Sequence, residues 1–143
     1  MSHVIVYTNE NGWVSVCLPT GEVPIEDVLA KNCPSHAIII DSSALPQGTD
    51  TQFFESWRLN GTTITIDLPT AISMATKQLN TLAYTEFQHR NTKTGIGLTN
   101  VLSDEDWTTV ISAARTAIAA AQTTTDLVTA LDSVEHAIQE NAI

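Results

Sequence analysis

The chain has 143 residues, with six Lys and Arg against sixteen Asp and Glu, for a formal net charge of −10. At ~100–200 residues per domain this is one domain or two very small units, and a mean hydropathy of +0.04 argues for a folded chain over bulk disorder. Six scattered basic residues are too few to neutralise a phosphate backbone, no stretch approaches the ~18–20 apolar residues of a membrane span, and Met1–Asn9 lacks the basic start and apolar run of a signal peptide; nucleic acids and membranes are therefore not expected as partners.

Residues 1–67 read as a β-rich domain. His3–Thr8 is a β-branched run, and Trp13–Leu18 is a second one. Asn11-Gly12 between them is a hairpin signal, because both residues tolerate the positive φ of a primed turn. Alternation places Val14, Val16 and Leu18 on one face, with Trp13, Ser15 and Cys17 on the other. Pro24–Ala30 fits a two-turn helix with proline in its first turn. Ala37–Asp41 is continuously apolar up to its final acid, the pattern of a strand covered on both faces. A loop over Ser42–Asp50 leads to Phe53–Leu59, Asn60-Gly61 and Thr62–Ile66, a second hairpin. Two hairpins and one buried strand make a small antiparallel sheet that needs a covering layer.

Residues 68–143 read as a helical region. Asp67 is a candidate N-cap with Pro69 close behind, and Leu68, Ile72, Ala75, Leu79 and Leu82 form a stripe running loosely to Phe87 and ending near Arg90. Asn91–Leu102 reads as a connector. Ser103 caps the next helix, its first turn holds Asp104, Glu105 and Asp106, and its apolar face is Trp107, Val110, Ile111, Ala114, Ile118 and Ala121. The alanine-rich run 117–121 suits close helix approach. Thr123–Asp126 breaks and recaps the chain, and Leu127, Leu131, Val134 and Ile138 line the last helix. The short connection makes these two helices an antiparallel pair. The expected fold class is α+β, with an N-terminal small antiparallel sheet and C-terminal helices ending in a helical hairpin.

Candidate chemistry is thin. His3, His36, His89 and His136 fall into no metal-ligand spacing. Glu86-x-x-His89 matches one element of a di-iron bundle, but Glu135-His136 does not repeat the spacing, so a solvated helix face is expected and no metal or cofactor. Thr92–Gly97 lacks the order of a phosphate loop and follows a helix, so it reads as a helix-terminating turn. Cys33 with His36 and the pair Ser42-Ser43 form no nucleophile motif. Cys17 and Cys33, sixteen apart, are expected as reduced, half-buried thiols of a cytoplasmic protein. No catalytic residue is expected. The aromatics Phe53, Phe54, Trp57, Tyr84 and Phe87 are weighed as core against an exposed partner-binding patch. Three amphipathic helices exceed what a five-strand sheet can cover, so association with itself or another chain is expected.

Leu45-Pro46, then Phe53-Phe54-Glu55-Ser56-Trp57-Arg58-Leu59-Asn60-Gly61-Thr62-Thr63-Ile64-Thr65-Ile66-Asp67 and a helix start, resembles small tail-module proteins of tailed bacteriophages. Val4–Val16 and Pro19–Val28 are similar to the N-termini of the same group, notably in cyanophages, and the likeness covers about residues 3–75. The group's next segment is a long helix rich in Arg and Lys, whereas this chain has Thr81–Arg90 and Thr94–Gly97. The resemblance implies a non-enzymatic protein of the virion tail, or of the host cytoplasm during assembly, that binds tail or tail-fibre subunits as an attachment subunit or assembly chaperone. It transfers no catalytic residue. The alternative from charge alone is an acidic inhibitor or regulator of a basic host protein, with a small enzyme as a third class.

Overall fold

The computed structural model describes residues 2–95, 97 and 103–140 of an α+β chain that divides into two compact units, Met1–Asp67 and Leu68–Ile143. The first unit is organised around β1 (His3–Thr8), which pairs antiparallel with β2 (Val14–Cys17) on one side and β3 (Ile38–Asp41) on the other. Register sets Val6 between Val16 and Ile38, and sets Ile5 between Cys17 and Ile39. The strand buried on both faces is therefore β1, through Val4, Ile5 and Val6. Ala37–Asp41 was expected in that place; instead β3 lies at the sheet edge, and within it only Ile40 is buried. Apolar continuity marks both segments, and the ladder decides between them, because only the central strand is hydrogen-bonded along both sides.

The β1–β2 connection differs in detail from a two-residue Asn11-Gly12 turn. Asn9 N–H donates to Trp13 C=O at 2.8 Å and Gly12 N–H to Asn9 C=O at 3.0 Å, while Gly12 alone has positive φ, at +90°. That is a three-residue loop closed by a left-handed glycine. The Asn9 carboxamide oxygen accepts from the backbone N–H of Asn11 at 3.0 Å and of Trp13 at 3.3 Å, so a side chain one turn earlier shapes the loop. Leu18, expected on the face of Val14 and Val16, lies past the end of β2 and is exposed.

A separate two-stranded sheet follows, so the five strands make two sheets and not one. β4 (Trp57–Asn60) pairs with β5 (Thr63–Ile66), Asn60 standing opposite Thr63. The loop residues are thus Gly61-Thr62, one step beyond the Asn60-Gly61 expected, and positive φ at Gly61 alone (+66°) is the pattern of a type II′ turn. Trp57 joins Val4, Val6, Val14 and Ile40 in a buried cluster, with Leu59, Ile64 and Ile66 packed against it. The hairpin thereby covers one face of the β2-β1-β3 sheet. At ~1.5–3 kcal/mol per buried Val or Ile side chain, this layer is what keeps so small a sheet folded.

On the other face, α1 (Ile25–Asn32) packs against β1. It is half-buried at Ile25, Val28 and Leu29 and has no fully buried residue. Glu26 and Asp27 in its first turn and Lys31 in its last complement the helix dipole, and Pro34 two residues on prevents continuation. Between β3 and β4 the chain makes three short 3-10 turns at Ser42–Ala44, Gly48–Gln52 and Phe54–Ser56. The indole N–H of Trp57 donates to Asp50 C=O at 2.9 Å and pins this segment to the hairpin.

The second unit is a bundle of α2 (Leu68–Gly95), α3 (Asp104–Ala119) and α4 (Thr124–Glu140), each in contact with the other two. α2 runs five residues past the end expected near Arg90, so the connector cannot begin at Asn91; positions 96 and 98–102 of that connector lie outside the described residues. Its 28 residues span about 42 Å at ~1.5 Å per residue. Among the described side chains it buries Ala71, Ala75, Leu79 and Glu86. Leu68, Ile72 and Leu82 of the expected stripe are only half-buried, and Phe87 is exposed. Small alanines hold the innermost line because they let helix backbones approach, an effect that counting large apolar residues misses.

Both caps of the helical pair form as expected. Ser103 Oγ accepts from Asp106 N–H at 3.1 Å. Thr123 Oγ1 accepts from Asp126 N–H at 3.2 Å, and Asp126 Oδ2 accepts in return from the N–H groups of Thr123 at 3.2 Å and Gln122 at 2.9 Å. This reciprocal arrangement is a capping box with Asp in the acidic position. The four residues 120–123 fold α4 back against α3 as a helical hairpin. Within 117–121 only Ile118 and Ala121 are buried; Ala117, Ala119 and Ala120 face outward, so the run is not the close-approach seam expected of it.

Candidate interaction surface

The five aromatics weighed as a partner patch separate into two groups. Phe53 is fully enclosed and Trp57 is 4% exposed, so neither offers a ring to another molecule from this conformation. Phe54, Tyr84 and Phe87 are 53%, 63% and 53% exposed. Phe54 opens the 3-10 turn Phe54–Ser56, with its ring centroid 5.1 Å from that of Trp57 at 54°. Tyr84 and Phe87, three apart on α2, share one outward face. The Gln88 amide donates to Tyr84 Oη at 2.9 Å and holds that ring in place. Phe54 belongs to one compact unit and the Tyr84–Phe87 pair to the other.

The remaining candidate residues are held by local partners. Glu86 was expected on a solvated face, and it is instead 4% exposed, with its carboxylate 3.7 Å from the exposed His89 imidazole. The i,i+3 spacing was visible in the sequence; the burial was not, because α2 turns an unusual line of residues inward. Among the described residues no group of three or more His, Cys, Asp or Glu side chains is placed to hold a metal ion. His36 Nε2–H donates to Thr8 C=O at 3.1 Å, and its ring meets Tyr7 edge-on at 6.1 Å. His36 is thus tied to the end of β1, and the neighbour that bears on the Cys33 thiol is Cys17. Ser42 and Ser43 sit in a 3-10 turn whose start is capped by Asp41, with Ser43 N–H donating to Asp41 Oδ1 at 2.9 Å. That bond, assisted by the charge of His3 across the β1–β3 pair, holds the Asp41 carboxyl below its ordinary range.

An open groove of about 450 Å³ runs between α3 and α4, lined by Ala113, Ala117, Ala120, Thr129 and Ser133 with Asp126 at one end. The Asp126 carboxylate is already engaged by two backbone N–H groups, so the groove presents small methyl and hydroxyl groups and no acid–base pair. Helical threonine hydroxyls are likewise turned onto their own helices. Thr76, Thr81, Thr109 and Thr116 hydroxyls donate to the carbonyl four residues earlier at 2.9–3.1 Å. Among the described residues no helix is long and apolar enough to cross a membrane.

Comparison with known protein families finds no matching family model, and comparisons with curated proteins and with solved structures find no match either.

Proposed function

We propose that this chain is a non-enzymatic interaction module of a bacteriophage tail, binding tail or tail-fibre subunits as an attachment subunit or an assembly chaperone. The observation that carries the interaction part is the outward-facing Tyr84–Phe87 pair on α2. The two rings form an adjacent exposed aromatic pair, and aromatic residues are favoured at partner interfaces. The tail assignment rests on the likeness of residues 3–75 to tail-module proteins. The working locations are the virion tail and the host cytoplasm during assembly.

The test is affinity capture from infected cells with the wild-type chain and with Tyr84→Ser/Phe87→Ser. Both residues are exposed, so the double variant should melt like wild type yet lose its tail or fibre partner. Equal capture by both proteins would overturn this surface. Mass spectrometry of purified particles then separates the two roles: an attachment subunit is present in multiples of the tail symmetry, and a chaperone is absent. Gel filtration at micromolar concentration reads self-association.

The net charge of −10 favours a second reading, an acidic inhibitor or regulator of a basic host protein. Capture of such a partner would fall steeply between low and high salt, whereas capture through apolar rings would be nearly insensitive to it.

A further inference from the structure

Neither the tail reading nor its alternative uses the two cysteines. Cys17 is the last residue of β2 and stands opposite Ile5 of β1. Residues opposed in this way share a face of the sheet, and the face of Ile5 is the one turned away from the Val4, Val6 and Trp57 cluster. That is where α1 packs, and Cys33 is the residue that ends α1 in extended conformation. The fold therefore carries two residues sixteen apart in sequence to one place. Both are free thiols and both are half-buried. Partial burial raises the Cys33 pKa, and the Cys17 thiol raises it further, through charge and through a side-chain hydrogen bond. Each sulfur is thus the other's neighbour.

We propose that Cys17 and Cys33 are a redox site, closing a reversible intramolecular disulfide that staples the end of α1 to β2. With a low-molecular-weight disulfide such as oxidised glutathione as oxidant, the exchange balances. One cysteine thiolate attacks a glutathione sulfur, breaking its S–S bond and releasing one glutathione thiolate. The second cysteine thiolate attacks the protein sulfur of that mixed disulfide and releases the other. The two protein thiols are oxidised, one glutathione disulfide is reduced to two glutathiones, and the two protein protons end on them. α1 has no fully buried residue, so a covalent tie at its end would add an anchor that its side chains do not supply.

The test equilibrates the full-length chain with glutathione buffers of graded ratio, quenches free thiols by alkylation, and reads the products by mass spectrometry. The expected product has lost two hydrogens and takes up no alkylating group. Cleavage after Lys31 should leave the Cys17 and Cys33 peptides joined only by the new bond. Its equilibrium constant against glutathione should exceed that of the urea-unfolded chain by about tenfold or more, because the fold holds the sulfurs together. Cys17→Ser and Cys33→Ser should each retain a single glutathione adduct. Stable mixed disulfides in wild type, a disulfide-linked dimer, thiols that stay alkylable in excess oxidised glutathione, or equal constants in folded and unfolded chain would each overturn the proposal.

Discussion

Trp57 is the residue at which a core role and a partner role make opposite predictions. Its ring is 4% exposed, belongs to the cluster with Val4, Val6, Val14 and Ile40, and donates its N–H to Asp50 C=O at 2.9 Å. Trp57→Ala removes the largest side chain of that cluster and should cost about 3–5 kcal/mol. Trp57→Phe keeps most of the ring but removes the indole hydrogen bond to the Asp50 carbonyl, which still accepts from Phe53 N–H at 3.2 Å, and should cost about 1–3 kcal/mol from the lost hydrogen bond and the smaller volume. A unit of 67 residues, Met1–Asp67, has about 3–10 kcal/mol to lose at ~0.05–0.15 kcal/mol per residue. The alanine variant should therefore lose from about a third to all of that stability, and the phenylalanine variant should keep more of it. Phe54→Ala, whose ring only leans on Trp57, should cost no more than about 0.5–1.5 kcal/mol.

The suitable assay is hydrogen exchange of the β1 amides, followed through a urea titration, because it reports on this unit without the signal of the helical one. Trp57→Ala should shift the midpoint to low urea with little change in slope, Trp57→Phe by a fraction of that, and Phe54→Ala least. A Trp57→Ala chain within about 1 kcal/mol of wild type that nonetheless loses a binding partner would refute the core assignment.

Three further outcomes follow from single sites. Asp41 is held ionised by the Ser43 N–H, so the folded carboxyl takes up its proton at lower pH than the unfolded one. Its contribution is whole above the ordinary carboxylate pKa of about 4 and is lost as pH falls through the lower folded value. The stability gap between wild type and Asp41→Asn should then narrow in that acid window and stay flat at neutral pH. Glu86 keeps a carboxylate inside, and among the described residues its ion-pair partner is the exposed His89 at 3.7 Å. Glu86→Met should raise the unfolding free energy from urea titration by about 1–2 kcal/mol, and a loss of that size would mean that the carboxylate is better satisfied than this pair provides. Thr123→Ala breaks one half of the α4 capping box and should cost about 1 kcal/mol in thermal unfolding followed by helical circular dichroism.

What the sequence made legible is whatever physics keeps local. The Ser103 and Thr123–Asp126 caps are set by groups three residues apart, and both form as read. The hairpins were legible from their glycines, yet each turn lies a step away from the reading. In the first, Asn9 reaches forward to the N–H groups of Asn11 and Trp13; in the second, the pairing of Asn60 with Thr63 leaves Gly61 and Thr62 as the loop. Choosing β1 over β3 as the central strand needed the ladder, since Val4–Val6 and Ile38–Ile40 are equally β-branched. The inward line of α2 needed the packed bundle, where Ala71 and Ala75 count for more than Phe87. The same division explains the candidate surface. Exposure of Tyr84 and Phe87, burial of Phe53 and Trp57, and the meeting of Cys17 with Cys33 depend on what neighbours cover, which no spacing rule encodes. A binding surface also differs in kind from a catalytic site. Acid–base or metal chemistry demands particular residue types at particular separations, and so leaves a pattern in the chain. Docking demands only that some apolar area stay uncovered until a complementary shape arrives, and its residues look like core residues until the fold shows which of them the core has left out.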